Sequence, residues 1–252
     1  DAQESRGLGD VYKRQYLDKV PAAATVLNGF GKSTGLVQVQ ELGVLETPIA
    51  LTNTFGVGTV ANAQIRAAVA ANPGIGRGMA TVNPLVFECN DGYLNDIQAL
   101  AVQESHYADA LAAADKHPAQ GAVGAGRGMS CFSFKGGIGS ASRVATIQPD
   151  QRYTVGALVL SNFGRLPNLI VAGRPFGRRL AGQLEGNLAQ AGENAAIVPE
   201  KGSIILLVAT DAPLDARQLR RLSLRAGAGL ARTGSVFGLS LIHISEPTRL
   251  LS

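Results

Sequence analysis

The chain of 252 residues has no tryptophan, three histidines, two cysteines and two methionines, and only 17% of its residues are charged. Each shortage excludes a class of explanation. Two cysteines cannot staple a chain of this length, so the fold must rest on a hydrophobic core. With so few histidines, and no Cys or His at ligand spacing, no metal centre is expected and no cofactor is implied. No run of about 18 apolar residues occurs, so neither a spanning helix nor a membrane partner is expected. Low charge combined with 46% hydrophobic residues excludes a disordered chain. The 23 Lys and Arg exceed the 19 Asp and Glu without forming a long basic run, which argues against a nucleic-acid partner. The expected compartment is the cytoplasm, or the periplasm if a signal peptide precedes the segment.

Two segments do not read as native protein. DVYKRQ (Asp10 to Gln15) and LSLIHISEPTR (Leu239 to Arg249) resemble one transposase-type sequencing adapter translated in its two orientations. Residues 1–15 and 239–252 are therefore expected to be non-native flanks, and residues 16–238 a single domain incomplete at both termini. A strand lost beyond Gly238 would leave an unpaired sheet edge. His243 falls in a flank, leaving His106 and His117, both expected to be solvated.

Small residues and 31 glycines punctuate short apolar runs. The patterns predict strands at Ile49 to Thr54, Tyr153 to Leu160, Leu169 to Ala172 and Ser203 to Ala209, with little polar alternation, as in strands buried on both faces. Helices are predicted at Gly58 to Ala71, Val102 to Lys116 and Leu214 to Leu230, the last capped by Asp211 and Pro213, with four arginines outside its apolar stripe. The fold class is α/β or α+β, helices covering central sheets.

GKST (Gly31 to Thr34) resembles the end of a phosphate-binding loop. That loop requires another glycine five residues earlier, and Val26 stands there, so the segment reads as a turn. Exposed histidines are poor general bases for a Ser-His-Asp arrangement. A nucleophile carrying its own base avoids the difficulty. When self-cleavage leaves Ser at a new N-terminus, its α-amine, titrating near pH 7.7 to 8.0, takes the hydroxyl proton. The bond attacked should follow an unhindered residue, and Gly139-Ser140 in KGGIGSASR (Lys135 to Arg143) has that form.

The chain resembles the L-aminopeptidase/D-esterase and β-peptidyl aminopeptidase family of self-cleaving N-terminal-nucleophile hydrolases. The similarity lies in LETPIALTNTFGVG (Leu45 to Gly58), NDGYLNDI (Asn90 to Ile97), GAVGAGRGMSCFSFKGGIGSASR (Gly121 to Arg143), YTVGALVLSNFGR (Tyr153 to Arg165), GSIILLVATDAPL (Gly202 to Leu214) and GLARTGS (Gly229 to Ser235), in family order. The resemblance implies an αββα sandwich and a precursor cut into two chains, 16–139 and 140–238. It implies Ser140 as nucleophile, with Ser142 as rival, and Gly139 as the last residue of the first chain. It further implies Asn95 as oxyanion donor, Glu41 as the group binding a substrate ammonium, and Ser161 and Asn162 lining the site in the loop after their strand. Ala122, where members usually carry Asn, and Arg127, where a smaller residue or Thr is usual, are departures. The implied activity is hydrolysis of N-terminal residues from short peptides or amino-acid amides and esters, by a homo-oligomer of processed heterodimers. The alternatives are an acyl transferase similar to ornithine acetyltransferase, or an inactive gene fragment.

Overall fold

The computed structural model describes residues 15–115, 117–189, 202–238 and 240–247. Its first half contains β1 (Val20–Pro21), β2 (Ala23–Gly29), α1 (Leu36–Leu42), β3 (Val44–Leu45), β4 (Ile49–Asn53), α2 (Val57–Ala71), β5 (Leu85–Cys89) and α3 (Glu104–Ala112). The second half contains β6 (Ser130–Cys131), β7 (Phe134–Lys135), β8 (Gly137–Gln148), β9 (Gln151–Asn162), α4 (Phe176–Ala189), β10 (Ser203–Thr210), α5 (Ala216–Ala231) and β11 (Ser240–Pro247).

Alternation of side chains along each strand sorts these elements into four layers. The main sheet has the order β2-β11-β10-β9-β8, antiparallel except for the β10–β11 pair. One of its faces carries Ala22, Ala24, Leu160, Ile205, Ile242 and Ile244, packed against Leu85, Phe87 and Cys89 of the parallel pair β4–β5. The far side of that pair presents Ala50 and Val86 to Val57, Val60, Ala63 and Ala68 of α2, with Tyr107 of α3. On the outer face of the main sheet, Ile204 and Leu206 meet Leu230 of α5, together with Phe132 and Phe163. The result is the expected αββα sandwich. Among the described residues no helix is long and apolar enough to cross a membrane.

Buried polar groups fix the alignment of these layers. Gln64 of α2 is fully buried; its amide nitrogen donates to the Pro48 carbonyl at 2.7 Å and its oxygen accepts from Leu85 N at 2.9 Å. It thereby satisfies two backbone groups at the start of the β4–β5 ladder. Glu88 accepts from Lys32 N at 2.9 Å through one oxygen and bonds Thr54 Oγ1 through the other. GKST, expected as a turn, is an irregular link between β2 and α1, tied down through its backbone. Thr34 bridges to Val86 by N–H···O bonds of 2.9 and 3.2 Å, and Gly35 takes a φ of +89° where a side chain would strike the Pro84 carbonyl.

Three expectations need correction. Leu169 to Ala172 forms no strand: Ala172 has a φ of +50° and Val171 makes only an isolated bridge to Arg174, since no neighbouring strand offers a ladder. The last helix begins two residues later than expected, capped by Asp215, which accepts from Gln218 N at 2.7 Å while the Gln218 side chain accepts from Asp215 N at 2.9 Å. Finally, the place of the expected missing strand is filled. Residues Ser240 to Pro247 pair between β10 and β2, burying Ile242 and Ile244. A β-branched run with apolar residues at alternate positions suffices for that ladder whatever its origin.

Replacing Gln64 by Leu should leave the Pro48 carbonyl without its donor and Leu85 N with only its longer bond to Thr47 Oγ1, and cost about 2 kcal/mol in chemical denaturation. Glu46 is buried, and desolvation alone would raise its pKa. Hydrogen bonds from Lys19, from the Asn83 backbone and side chain, and from Gln38 outweigh that and hold it below the usual value. A depressed carboxyl stabilises the fold above its unfolded pKa and loses that contribution as pH falls through the folded value. Acid titration of Glu46→Gln should therefore show a shallower loss of stability below about pH 4.5 than the unsubstituted protein.

Candidate active site

Ser140 lies in the uninterrupted part of β8, opposite Leu158 of β9. It is exposed, and its hydroxyl accepts from Gln120 Nε2 at 3.1 Å while its backbone N–H donates to Gln120 Oε1 at 3.3 Å. That amide thus points off the free edge of the sheet. Gly139 precedes it, and Ser142 follows on the same face, also exposed. Strand periodicity puts Ser140 on the side of Ile138 and Leu160, facing the space between the two sheets.

Ser161 and Asn162 are the last two residues of β9 rather than the start of a loop. Ser161 pairs with Gly137, bonding its carbonyl at 3.0 Å, three residues and therefore about 10 Å of strand from Ser140. Asn162 belongs to a different constellation. It is buried, and its oxygen accepts from Ser130 N at 3.0 Å. Its amide nitrogen donates to the Asn90 carbonyl at 2.7 Å and to Ser203 Oγ at 3.2 Å.

Ser203 was not singled out by the sequence reading, yet it has the same Gly-Ser form as Ser140. It opens β10, a strand flanked on both sides in the sheet, and is 6% exposed. Gly202 before it packs so closely on Phe163 that a Cβ would approach its backbone to 2.7 Å, so only glycine fits. Beneath Ser203 lies Cys89, whose thiol donates to the Leu160 carbonyl at 3.7 Å. Burial pushes that thiol up to about 12, against a lowering by its hydrogen bond with Ser203.

Asn95 sits in the loop after β5, with its amide donating to Asp91 Oδ2 at 2.8 Å. Asn53 Nδ2 reaches the same oxygen at 3.2 Å, and Asp91 Oδ1 is buried without a hydrogen-bond partner among the described residues. Asn95 and Asn90 therefore belong to one loop, but it is the Asn90 carbonyl, not Asn95, that accepts from the Asn162 amide bonded to Ser203 Oγ. Glu41 is exposed on α1, and no hydrogen bond or ion pair among the described residues joins it to Ser140, Ser203 or Asn162. His106 and His117 are both exposed, His106 accepting from Gln103 N within a helix cap. No group of three or more His, Cys, Asp or Glu among the described residues could hold a metal. A large apolar cavity of about 770 Å³, lined by Val159, Phe163, Leu206, Leu222 and Leu230 with Arg225 among them, opens on the outer face of the sheet, opposite the side that bears Ser140 and Ser203.

Comparison with known proteins gives concordant results. Residues 7–240 match the family model described as Peptidase family S58. The beta-peptidyl aminopeptidase BapA of Sphingosinicella microcystinivorans is 44% identical over 213 residues, covering 82% of this chain and 52% of the relative. The chain thus spans about half the length of this curated relative. A beta-aminopeptidase from Burkholderia sp. superposes with a TM-score of 0.79 at 42% identity, over 91% of this chain and 61% of that one. The L-aminopeptidase D-Ala-esterase/amidase of Ochrobactrum anthropi superposes with a TM-score of 0.78 at 33% identity, over 91% and 61%; it is described as a prototype for the serine aminopeptidases and a variant of the Ntn hydrolase fold.

The raised pKa and full burial of Cys89 make it a poor thiolate at neutral pH, whereas Cys131 is only partly buried. Native-state alkylation at pH 8 followed by mass mapping should label Cys131 well before Cys89.

Proposed function

The chain belongs to peptidase family S58, and from that premise we propose that the whole protein is a self-processing aminopeptidase and amidase with an N-terminal serine nucleophile. Three Gly-Ser bonds occur, of which Gly234-Ser235 lies outside any strand with its hydroxyl accepting from Phe237 N. The other two, Gly139-Ser140 and Gly202-Ser203, lie in or lead into strands of the main sheet and compete for the cleavage. The hydrogen bond from buried Asn162 to Ser203 Oγ carries the choice between them. It holds the second serine at the head of a central strand, beside a donor suited to a developing oxyanion. Ser140 has only the exposed Gln120 as side-chain partner and sits inside a ladder that continues on both sides.

In this reading Ser203 Oγ attacks the carbonyl carbon of Gly202, the peptide nitrogen leaves as the new α-amine, and water hydrolyses the resulting ester. The freed amine of Ser203 then removes the hydroxyl proton when a substrate carbonyl is attacked. It returns that proton to the leaving amine, and water releases the acyl group. Asn162, fixed by Ser130 and Asn90, holds its N–H toward the reacting oxygen. The substrates are short peptides and amino-acid amides or esters, the classes named for the relatives. Glu41 is the proposed partner of a substrate ammonium and Asn95 a support for the site loop through Asp91. The partners are further copies of the processed pair, a role that suits the β8–β9 hairpin, where Val144 and Ile147 are exposed on an edge strand.

The full-length gene product should run on a denaturing gel as two fragments whose second begins at Ser203. Ser203→Ala should remain one band and lose roughly 10³-fold or more of its hydrolysis of amino-acid p-nitroanilides, while Ser140→Ala cleaves and turns over as the parent does. The reverse pattern would return the nucleophile to Ser140, and cleavage in both variants would end the N-terminal serine reading.

A further inference from the structure

The hydrogen bonds around Asn162 continue beyond it to a charge that the proposed reaction has not used. Lys135 closes the β6–β7 hairpin, where it pairs with Ser130. Its ammonium donates to three backbone carbonyls, those of Gly126 at 2.8 Å, Met129 at 2.9 Å and Gly136 at 2.8 Å. All three of its N–H bonds are thereby spent on the main chain. Salt bridges in the described residues engage Lys19, Arg66 and His117, not Lys135.

The Met129 carbonyl belongs to the peptide unit whose N–H is that of Ser130. A cation on the oxygen of a peptide polarises it and strengthens its N–H as a donor. That N–H is the group that binds Asn162 Oδ1 at 3.0 Å. Drawing electron density from the amide oxygen in turn makes the Asn162 N–H a stronger donor, and one of its two hydrogens reaches Ser203 Oγ. The same bond decides which way the amide faces, because turning it over would set the Asn162 nitrogen against the Ser130 N–H and its oxygen against the Asn90 carbonyl. Gly136 N also donates to the Met129 oxygen at 2.8 Å, so that carbonyl is held from two sides.

We propose that Lys135 is a positioning residue for Ser203, acting through the Met129–Ser130 peptide and the Asn162 amide to orient and polarise the hydrogen bond at the nucleophile. The inference rests on the assignment of Ser203. Lys135 is exposed overall, and partial desolvation of its ammonium pulls its pKa below the ordinary lysine value.

The test compares Lys135→Gln and Lys135→Met with the parent in the full-length gene product. Gln retains an N–H donor for the carbonyls but no charge, so it separates polarisation from simple tethering. For Lys135→Gln, kcat on an amino-acid p-nitroanilide and the rate of precursor cleavage should both fall at least tenfold, with KM changed less than twofold and the melting temperature nearly kept. Adding propylammonium to Lys135→Ala should restore part of kcat. A Gln variant with parental kcat would overturn the relay, as would a loss confined to KM. If Lys135→Met does not fold, the Gln variant still decides. Ser203→Ala runs alongside: if it cleaves and turns over normally, the nucleophile assignment itself has failed, whereas an inactive Ser203→Ala beside a fully active Lys135→Gln removes only the role of Lys135.

Discussion

The three side-chain hydrogen bonds of Asn162 are the constraint on which the candidate site depends. One side chain satisfies the Ser130 N–H, the Asn90 carbonyl and the Ser203 hydroxyl, while its own backbone ends β9 in register with Ser203. Four separate stretches of chain, around residues 90, 130, 162 and 203, therefore meet at one amide. Burial makes the arrangement exacting, since each of those groups would be costly to leave unpaired away from water. An amide is suited to the task because it offers an acceptor and two donors in one plane, whereas a leucine of similar volume would leave three polar groups unsatisfied.

The same logic recurs one layer further out. Gln64 joins α2 to the start of the β4–β5 ladder, and Glu88 joins β5 to the turn at Lys32 and to Thr54. These bonds set the rotation of the helical layer against the small sheet, and so the position of the loop after β5 that presents Asn90 and Asp91. The apolar contacts among Leu85, Phe87, Leu160 and Ile205 supply cohesion between the sheets. They are not directional. Register comes from the polar groups buried among them.

Much of the architecture was legible in the residues. The β-branched runs gave β4, β9 and β10 within a few positions, and the spacing of apolar residues gave α2, α3 and α5. The run at Leu169 to Ala172 misled because strand propensity describes a residue's fit to a sheet that must exist beside it, and none does there. β5, buried at every position, was missed because five residues buried on both faces, with Glu88 among them, show no alternation to detect. The choice of Ser140 came from a sound chemical rule, an unhindered residue before the nucleophile, applied to one of three Gly-Ser pairs. Gly202-Ser203 satisfied it equally and led directly into a buried strand, a signal that was available and not used.

Composition and motif order by themselves pointed to the class of chemistry proposed and determined the family. Scarce histidine and cysteine pointed to a serine carrying its own base, and the ordered blocks pointed to the peptidase family, because residue types and local spacing are written along the chain. Only the tertiary structure decided which groups act together. Ser130, Asn162, Ser203 and Lys135 are separated by up to 73 positions, yet with the Met129–Ser130 peptide they form one hydrogen-bonded chain, because antiparallel pairing and the face-to-face packing of two sheets bring distant residues into hydrogen-bond contact. Proximity of that kind is a property of register and layer, which no local spacing encodes.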